Sequence, residues 1–565
     1  MTSVIQSVFS SRNKLFISQQ EYYDFLSKRM RLIALLISIV TCTIFAATHE
    51  YWVDEYQSWA IAKEVPLWNL FSVIPTEGHP VLYHAFLKLF VYSMPTALMP
   101  WTSWLLYGIA QIFLYRTPMI RTEVYTIMST LILIPYWIGA FARSYTLCYL
   151  FIALLLYGYN YRFRYKIAYS LIIALAMSVH FQFTVTMFCF GFVYGIELIY
   201  LIIREIKEQG LARGMLNTRT HVIAGFILLL GVGIALLQFS LIDTTHGSNF
   251  SNYSIAMVFR YLSKAIMGYP WVSTSGLSVL VGLIVILVCF LTIIVHSFNI
   301  KTSGIAVLLT FAGNMAVLLK ANLTTHQKVM LFLFSLFLCC YISPVFERVT
   351  QDKRNTHRFA CSLLICGMLF SQNICSLRRC YVDLTSDFYG ETLVANKLEQ
   401  LCDKNIPILF TNFGLQGAIA PRMAEDGYNV IIGDTTGDNT YAIWGTSTVV
   451  TDGELFDAVL TGEASMTTFL DVYTEWRGIE KGTRLYIVLP MLYTGYSHNV
   501  MSQTDELTRN ALAQSEVDTL TRMDAKYMES IGIKALVDWE FTYGYYGQRG
   551  VAIEYVTGSG EEWNG

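Results

Sequence analysis

RLIALLISIVTCTIFAATHEYWVDEYQSWA, residues 31–60, is the stretch on which the reading of this chain turns. From Leu32 to Thr48 it carries no charge, and its polar atoms are confined to single hydroxyls and a thiol. A bilayer core demands about 20 predominantly apolar residues, because a spanning segment must satisfy its own backbone polar groups. The run therefore reads as a membrane helix. It is no cleaved signal: its polar leader is long, no small-x-small site follows, and further spans come after it. Immediately beyond it stand two adjacent carboxylates, Asp54 and Glu55, among Tyr51, Trp52, Tyr56 and Trp59. Rings alone would describe an interfacial aromatic belt on an exposed loop. The acid pair among them asks for more.

Working outward, the same apolar pattern recurs. Spans are read near 31–48, 98–115, 121–139, 144–161, 166–180, 183–203, 220–241, 274–297, 303–320, 328–345 and 359–377, about eleven in all. The pair 166–180 and 183–203 reads equally as one broken segment. Lys and Arg set the orientation. Arg12, Lys14, Lys28, Arg29 and Arg31 place residues 1–30 in the cytoplasm as an N-terminal tail. Later clusters at Arg116/Arg121, Arg162/Arg164/Lys166, Arg204/Lys207/Arg213/Arg219 and Arg348/Lys353/Arg354/Arg358 return to that side, provided 79–94 lies in the interface without crossing. Parity then sends 49–97, 242–273, 321–327 and everything after 377 outside. Arg378 and Arg379 run against this assignment.

The composition agrees: 54% hydrophobic and only 14% charged, with mean hydropathy +0.46. Soluble domains carry about 25% charged residues. The net charge of −2 conceals two halves. Residues 1–379 hold 28 Lys/Arg against 14 Asp/Glu, and 380–565 hold 11 against 27. Neither a nucleic-acid footprint nor a disulfide framework is present, since nine of the eleven Cys fall in apolar segments. The chain thus divides into the tail, a transmembrane helical domain over 31–379 with its first outer loop at 49–97, and a C-terminal soluble α/β domain over 380–565. Short β-rich runs at 406–410, 429–433 and 484–490 alternate there with helix-like stretches.

The first outer loop holds the most chemistry. After the acid pair comes PTEGHPVLY, residues 75–83, with Glu77 and His79, running into the interfacial segment. An acid pair after the first span followed by Gly-His-Pro-x-Leu-Tyr resembles the GT-C superfamily of polyprenyl-phosphate-sugar glycosyltransferases, in particular the protein O-mannosyltransferase and lipid A aminoarabinose transferase branch. The resemblance lies in motif over 50–83 and in architecture over roughly 30–345. It implies a GT-C-like helical membrane fold, a polyprenyl-phosphate-linked sugar as donor, a glycan, lipid or protein acceptor, and transfer with inversion. It further implies Asp54 as general base, with Glu55 orienting it or holding the acceptor sugar. A base is needed because the attacking hydroxyl must lose its proton, and the departing lipid phosphate needs cationic partners.

Arg143, in GAFARSYTL at 139–147, and His326 with Lys328, in KANLTTHQK at 320–328, are the candidates for that phosphate. Lys320 and Gln327 flank the second group. Glu77, His79 and Tyr145 are candidates for the acceptor groove or for positioning the loop. Arg260 and Lys264 lie in the long segment 242–273, where they would serve a lid or contact headgroups. Where several family members carry another acid, this chain has Arg143, Ser144 and Tyr145, so a divalent metal has no second acidic motif and none is assigned. His180 and Gln182, between the fifth and sixth spans, read as packing residues.

Rival readings are a transporter or flippase for lipid-linked glycans, a polysaccharide polymerase or ligase, and a non-enzymatic sensor. Transporters show repeats and charges at mid-membrane depth. Here the charges gather at span ends and no repeat is visible. The expected location is a cell membrane, with a bacterial lean from the lack of an outer cysteine framework.

Overall fold

A computed structural model of the protein describes residues 19–49, 51, 53–77, 79–117, 120–241, 313, single positions between 366 and 385, 391–411, 419–432, 465–491, 525–540 and 549–558. The helices in chain order are α1 (Gln19–Thr48), α2 (Val53–Glu64), α3 (Ile74–Glu77), α4 (Leu82–Leu87), α5 (Met99–Arg116), α6 (Thr122–Thr130), α7 (Ser144–Gly158), α8 (Lys166–Ala176), α9 (Phe181–Gln209), α10 (Leu211–Asn217) and α11 (Arg219–Ser240). Among the described residues four stretches, Leu26–Thr48, Thr96–Arg116, Phe181–Gln209 and Arg219–Ser240, are long and apolar enough to cross a membrane.

Several expected spans take a different form. Residues 121–139 are no single helix. α6 stops at Thr130, Leu131 is extended at ψ 119°, and Pro135–Ala140 wind as a π-helix. Pro135 fits the break, since proline has no N–H to bond the Leu131 carbonyl four residues back and its ring crowds that carbonyl. The Leu133 amide freed there donates to Asn373 Oδ1 at 2.8 Å. Segments 166–180 and 183–203 are two helices, α8 and α9, joined by a turn at Met177–His180. α8 has only 11 residues, about 16 Å of helix at 1.5 Å per residue and half a bilayer core. Within 79–94 the helix is confined to α4, six residues. The expected spans at 274–297 and 328–345 lie outside the described residues, as does 303–320 apart from Gly313 and 359–377 apart from single positions.

The helices share one core. Tyr107, Tyr136, Phe141 and Phe183 are buried in it, with Ile152 and Leu155 of α7. Close approach is built from small residues, as membrane helices require. A Cβ placed on Gly231 of α11 would stand 2.6 Å from the Ala174 Cβ of α8. At the other end of the bundle Arg31 closes the C-terminus of α5. Its guanidinium donates to the carbonyls of Leu114 at 2.7 Å, Tyr115 at 2.6 Å and Ile120 at 2.7 Å, and lies over the Tyr125 ring. Leu114 and Tyr115 lie in the last turn of α5, where carbonyls lack an amide four residues on within the helix, and Ile120 lies in the turn that follows.

The C-terminal residues described form α12 (Glu391–Leu401), β1 (Ile408–Phe410), α13 (Ala420–Glu425), β2 (Val430–Ile432), α14 (Met466–Trp476), β3 (Arg484–Met491), α15 (Ala525–Ser530), β4 (Lys534–Glu540) and β5 (Arg549–Val556). The sheet runs β2-β1-β3-β5-β4, with β1 parallel to β2 and β3 and the remaining pairs antiparallel. Strand alternation divides its side chains between two cores. Leu409, Leu485, Ile487, Val551 and Ile553 pack toward α14, while Ile408, Phe410, Tyr486, Val488 and Ala552 pack with Leu398 of α12 and Met423 of α13. α13 touches the end of α2 and the segment before α5 through Glu425. Its carboxylate accepts from the Thr96 amide at 3.2 Å and the Thr96 hydroxyl, and pairs with Lys63 Nζ at 3.0 Å.

Candidate active site

Asp54 and Glu55 open α2, in its first turn. Carboxylates there face unpaired backbone amides and the positive end of the helix dipole. Neighbours on an α-helix project about 100° apart, so the two acids cannot share an environment. The Glu55 side chain is fully buried, whereas that of Asp54 keeps 24% of its surface.

Glu55 is engaged on both oxygens. Oε2 meets His49 Nε2 at 2.9 Å, and Oε1 accepts the Ala142 amide at 2.5 Å. The His49 ring lies 4.1 Å from the Phe141 ring. Glu55 thus joins the end of the first span to the chain entering α7. Its burial suits orienting the loop and leaves no surface on which to hold an acceptor sugar.

Asp54 is held by the next residue in that chain. Arg143 Nη1 donates to the Asp54 carbonyl at 2.7 Å and to Ser58 Oγ at 3.2 Å, and Nη2 stands 3.2 Å from Asp54 Oδ2. The same Nη2 lies 3.2 Å from His79 Nε2. A guanidinium only donates, so His79 Nε2 is an acceptor and its proton resides on Nδ1. Burial works against the charge on Arg143. Asp54 chiefly, with Tyr145, Glu77 and Tyr83, outweighs it, and the guanidinium is held above its ordinary value.

Around this pair the other loop residues gather. Gln57 Nε2 donates to Glu77 Oε2 at 3.3 Å. The His79 ring lies 5.5 Å from that of His180, which lies 5.2 Å from Tyr145. His180 caps α9, its Nδ1 accepting the Gln182 amide at 3.3 Å. Tyr51 is pushed up to about 12 by burial, reinforced by Glu55 and opposed by Arg422 of α13. Among the described residues, no three His, Cys, Asp or Glu side chains are grouped to hold a metal.

No family model matches the chain, and no curated protein matches it. Among solved structures it is similar to ArnT from Cupriavidus metallidurans in the apo state, at 11% identity and TM-score 0.42, covering 97% of this chain and 100% of that one. It is also similar to ArnT from Cupriavidus metallidurans bound to undecaprenyl phosphate, at 11% identity and TM-score 0.33, covering 94% of this chain and 99% of that one.

Of the residues singled out in the sequence, Asp54, Glu55, Glu77, His79, Arg143 and Tyr145 come together. His326 and Lys328 lie outside the described residues, as do Lys320, Gln327, Arg260 and Lys264. Arg143, expected to face a phosphate, stands against Asp54, Ser58 and His79. His180, read as a packing residue, belongs to the group, and so do Gln57 and Ser58. Gln57 and Ser58 stand at i+3 and i+4 from Asp54 on α2 and so share its face, whereas only a fold-level turn brings 180 beside 79 and 145.

Proposed function

We propose that this chain is an integral-membrane glycosyltransferase taking a sugar from a polyprenyl-phosphate carrier to an acceptor hydroxyl on the non-cytoplasmic face. The acceptor oxygen attacks the anomeric carbon as its proton passes to Asp54. The bond from that carbon to the phosphate oxygen breaks with its electron pair on the lipid phosphate, and the configuration inverts. In this reading about eleven spans carry the chain, its N-terminus is cytoplasmic, and the C-terminal α/β domain lies outside the membrane on the face of the reaction.

One observation supports it most: of two adjacent acids, Asp54 alone keeps access to solvent, and Arg143 holds it by carbonyl and carboxylate together. A base must be placed within hydrogen-bond reach of the proton it takes, and a fixed carboxylate meets that need. Arg143 serves chiefly to orient Asp54. His326 and Lys328 remain the groups proposed for the lipid phosphate. Membranes given a labelled polyprenyl-phosphate sugar test the reading. Asp54→Asn should abolish transfer at unchanged protein abundance, and undiminished transfer would sink the mechanism. Lipid-linked sugar accumulating on the cytoplasmic side in that variant would favour a flippase.

A further inference from the structure

Gln238 is a fully buried amide near the end of the apolar helix α11. Both ends of it are used. Oε1 accepts the Val81 amide at 3.0 Å, and Nε2 donates to Ser178 Oγ at 3.0 Å. Beside it, the Leu82 amide donates to the Ser178 carbonyl at 3.1 Å. α4 begins at Leu82 with no side-chain cap of its own, and a helix start leaves its first amides unpaired. One amide from another helix and one carbonyl from another turn fill that need.

The placement of those contacts matters for the site. Val81 is two residues after His79, with Pro80 between them, and Ser178 is two residues before His180. Proline fixes one backbone dihedral, and Val179 is fully buried. Gln238 therefore joins the two turns whose histidine rings stand 5.5 Å apart. The two rings are also set in opposite tautomers. His79 accepts at Nε2 from Arg143, and His180 accepts at Nδ1 from the Gln182 amide. Both arrangements depend on where the turns sit.

We infer that Gln238 is a positioning residue for the proposed active site, pinning the His79 and His180 turns together and so setting how His79 meets Arg143 beside Asp54. The inference rests on the glycosyltransferase reading only for its kinetic consequence. An apolar side chain of the same length would fill the space yet leave the Val81 amide and the Ser178 hydroxyl without their partner. The turns would then be free to separate. A protonated glutamic acid, the form that burial favours, would keep both bonds, its carbonyl oxygen accepting from the amide and its hydroxyl donating to Ser178 Oγ.

The test compares Gln238→Met, Gln238→Glu and Ser178→Ala in the full chain in nanodiscs. Transfer from labelled polyprenyl-phosphate sugar is measured beside the 15N spectrum of histidine-labelled protein. His79→Gln and His180→Gln identify the two rings in that spectrum. Gln238→Met should lower kcat about a hundredfold at near-constant KM, as misplacement of a catalytic constellation by about 1 Å does. Gln238→Glu should restore most of that rate, and Ser178→Ala should fall between. The His79 nitrogens should move toward a mixture of tautomers in Gln238→Met. If rate and spectrum are both unchanged in Gln238→Met, the inference is overturned. So is it if the rate merely tracks the folded fraction and Gln238→Glu brings no rescue. Should the parent transfer no sugar at all, the glycosyltransferase reading fails by itself, and the spectrum alone decides whether Gln238 sets the two rings.

Discussion

Arg143 grips Asp54 by two different groups, the main-chain carbonyl at 2.7 Å and the carboxylate at 3.2 Å. The first contact fixes where α2 begins, and the second fixes where the carboxylate points. A planar fork of donors can do both and still reach Ser58 and His79, whereas an ammonium is a point charge on a flexible stem. Arg143→Lys should therefore lower transfer about a hundredfold while protein abundance is kept. Rate and abundance measured on the same membranes check this, and a rate within a factor of two of the parent would contradict it.

Glu55 should behave unlike its neighbour. It is fully buried with His49 at 2.9 Å and the Ala142 amide at 2.5 Å. Removing one partner of such a buried pair costs about 3–5 kcal/mol. Glu55→Ala is thus expected to lower the thermal midpoint in detergent strongly, whereas Asp54→Asn, at a part-exposed side chain and with the Arg143 contact to the Asp54 carbonyl kept, should lower it less. Equal midpoints for both variants would argue against this division of roles.

His84 predicts an acid limit. Burial above all, with the charges of Arg143 and Lys88, lowers its pKa from 6.5 to about 3. The folded state then binds fewer protons than the unfolded one between those values. The stabilising contribution is whole above 6.5 and drains away as the pH falls toward 3, by up to about 1.4 kcal/mol per pH unit. Thermal unfolding of the parent should steepen its decline below about pH 6.5, and His84→Phe should flatten that part of the profile. Parallel profiles would exclude His84 as the source.

Gly231 tests the packing of α8 on α11. A Cβ there would lie 2.6 Å from Ala174 Cβ and 2.8 Å from Ala174 Cα, and the second is backbone that cannot swing aside. Gly231→Leu should cost about 1–3 kcal/mol or more through overpacking. Gly233, two residues on, meets no described atom within 4 Å, so Gly233→Ala is the control and should be close to neutral. Midpoints from a thermal-shift measurement in detergent decide between them.

Much of the bundle was legible because it rests on one-dimensional rules. Long runs of apolar residues appear as α1, α5, α9 and α11, since hydropathy and backbone satisfaction act along the chain. The rule failed at 121–139, where a hydrophobic run conceals Pro135 and a change of helix type. It also read Arg31 only as a cytoplasmic charge, although that side chain closes the end of α5 from 83 to 89 residues away.

That Asp54 and Glu55 follow the first long apolar helix within a few residues is legible along the chain, because both facts concern consecutive positions. Which acid faces solvent was decided by the tertiary structure. The helical turn sends adjacent side chains in different directions, and only the arrival of Ala142 and Arg143 makes one direction interior. The same holds for His79, His180 and Gln238. Nothing local links residues 79, 180 and 238 until two turns and a helix end meet, and then unpaired backbone amides select the partners.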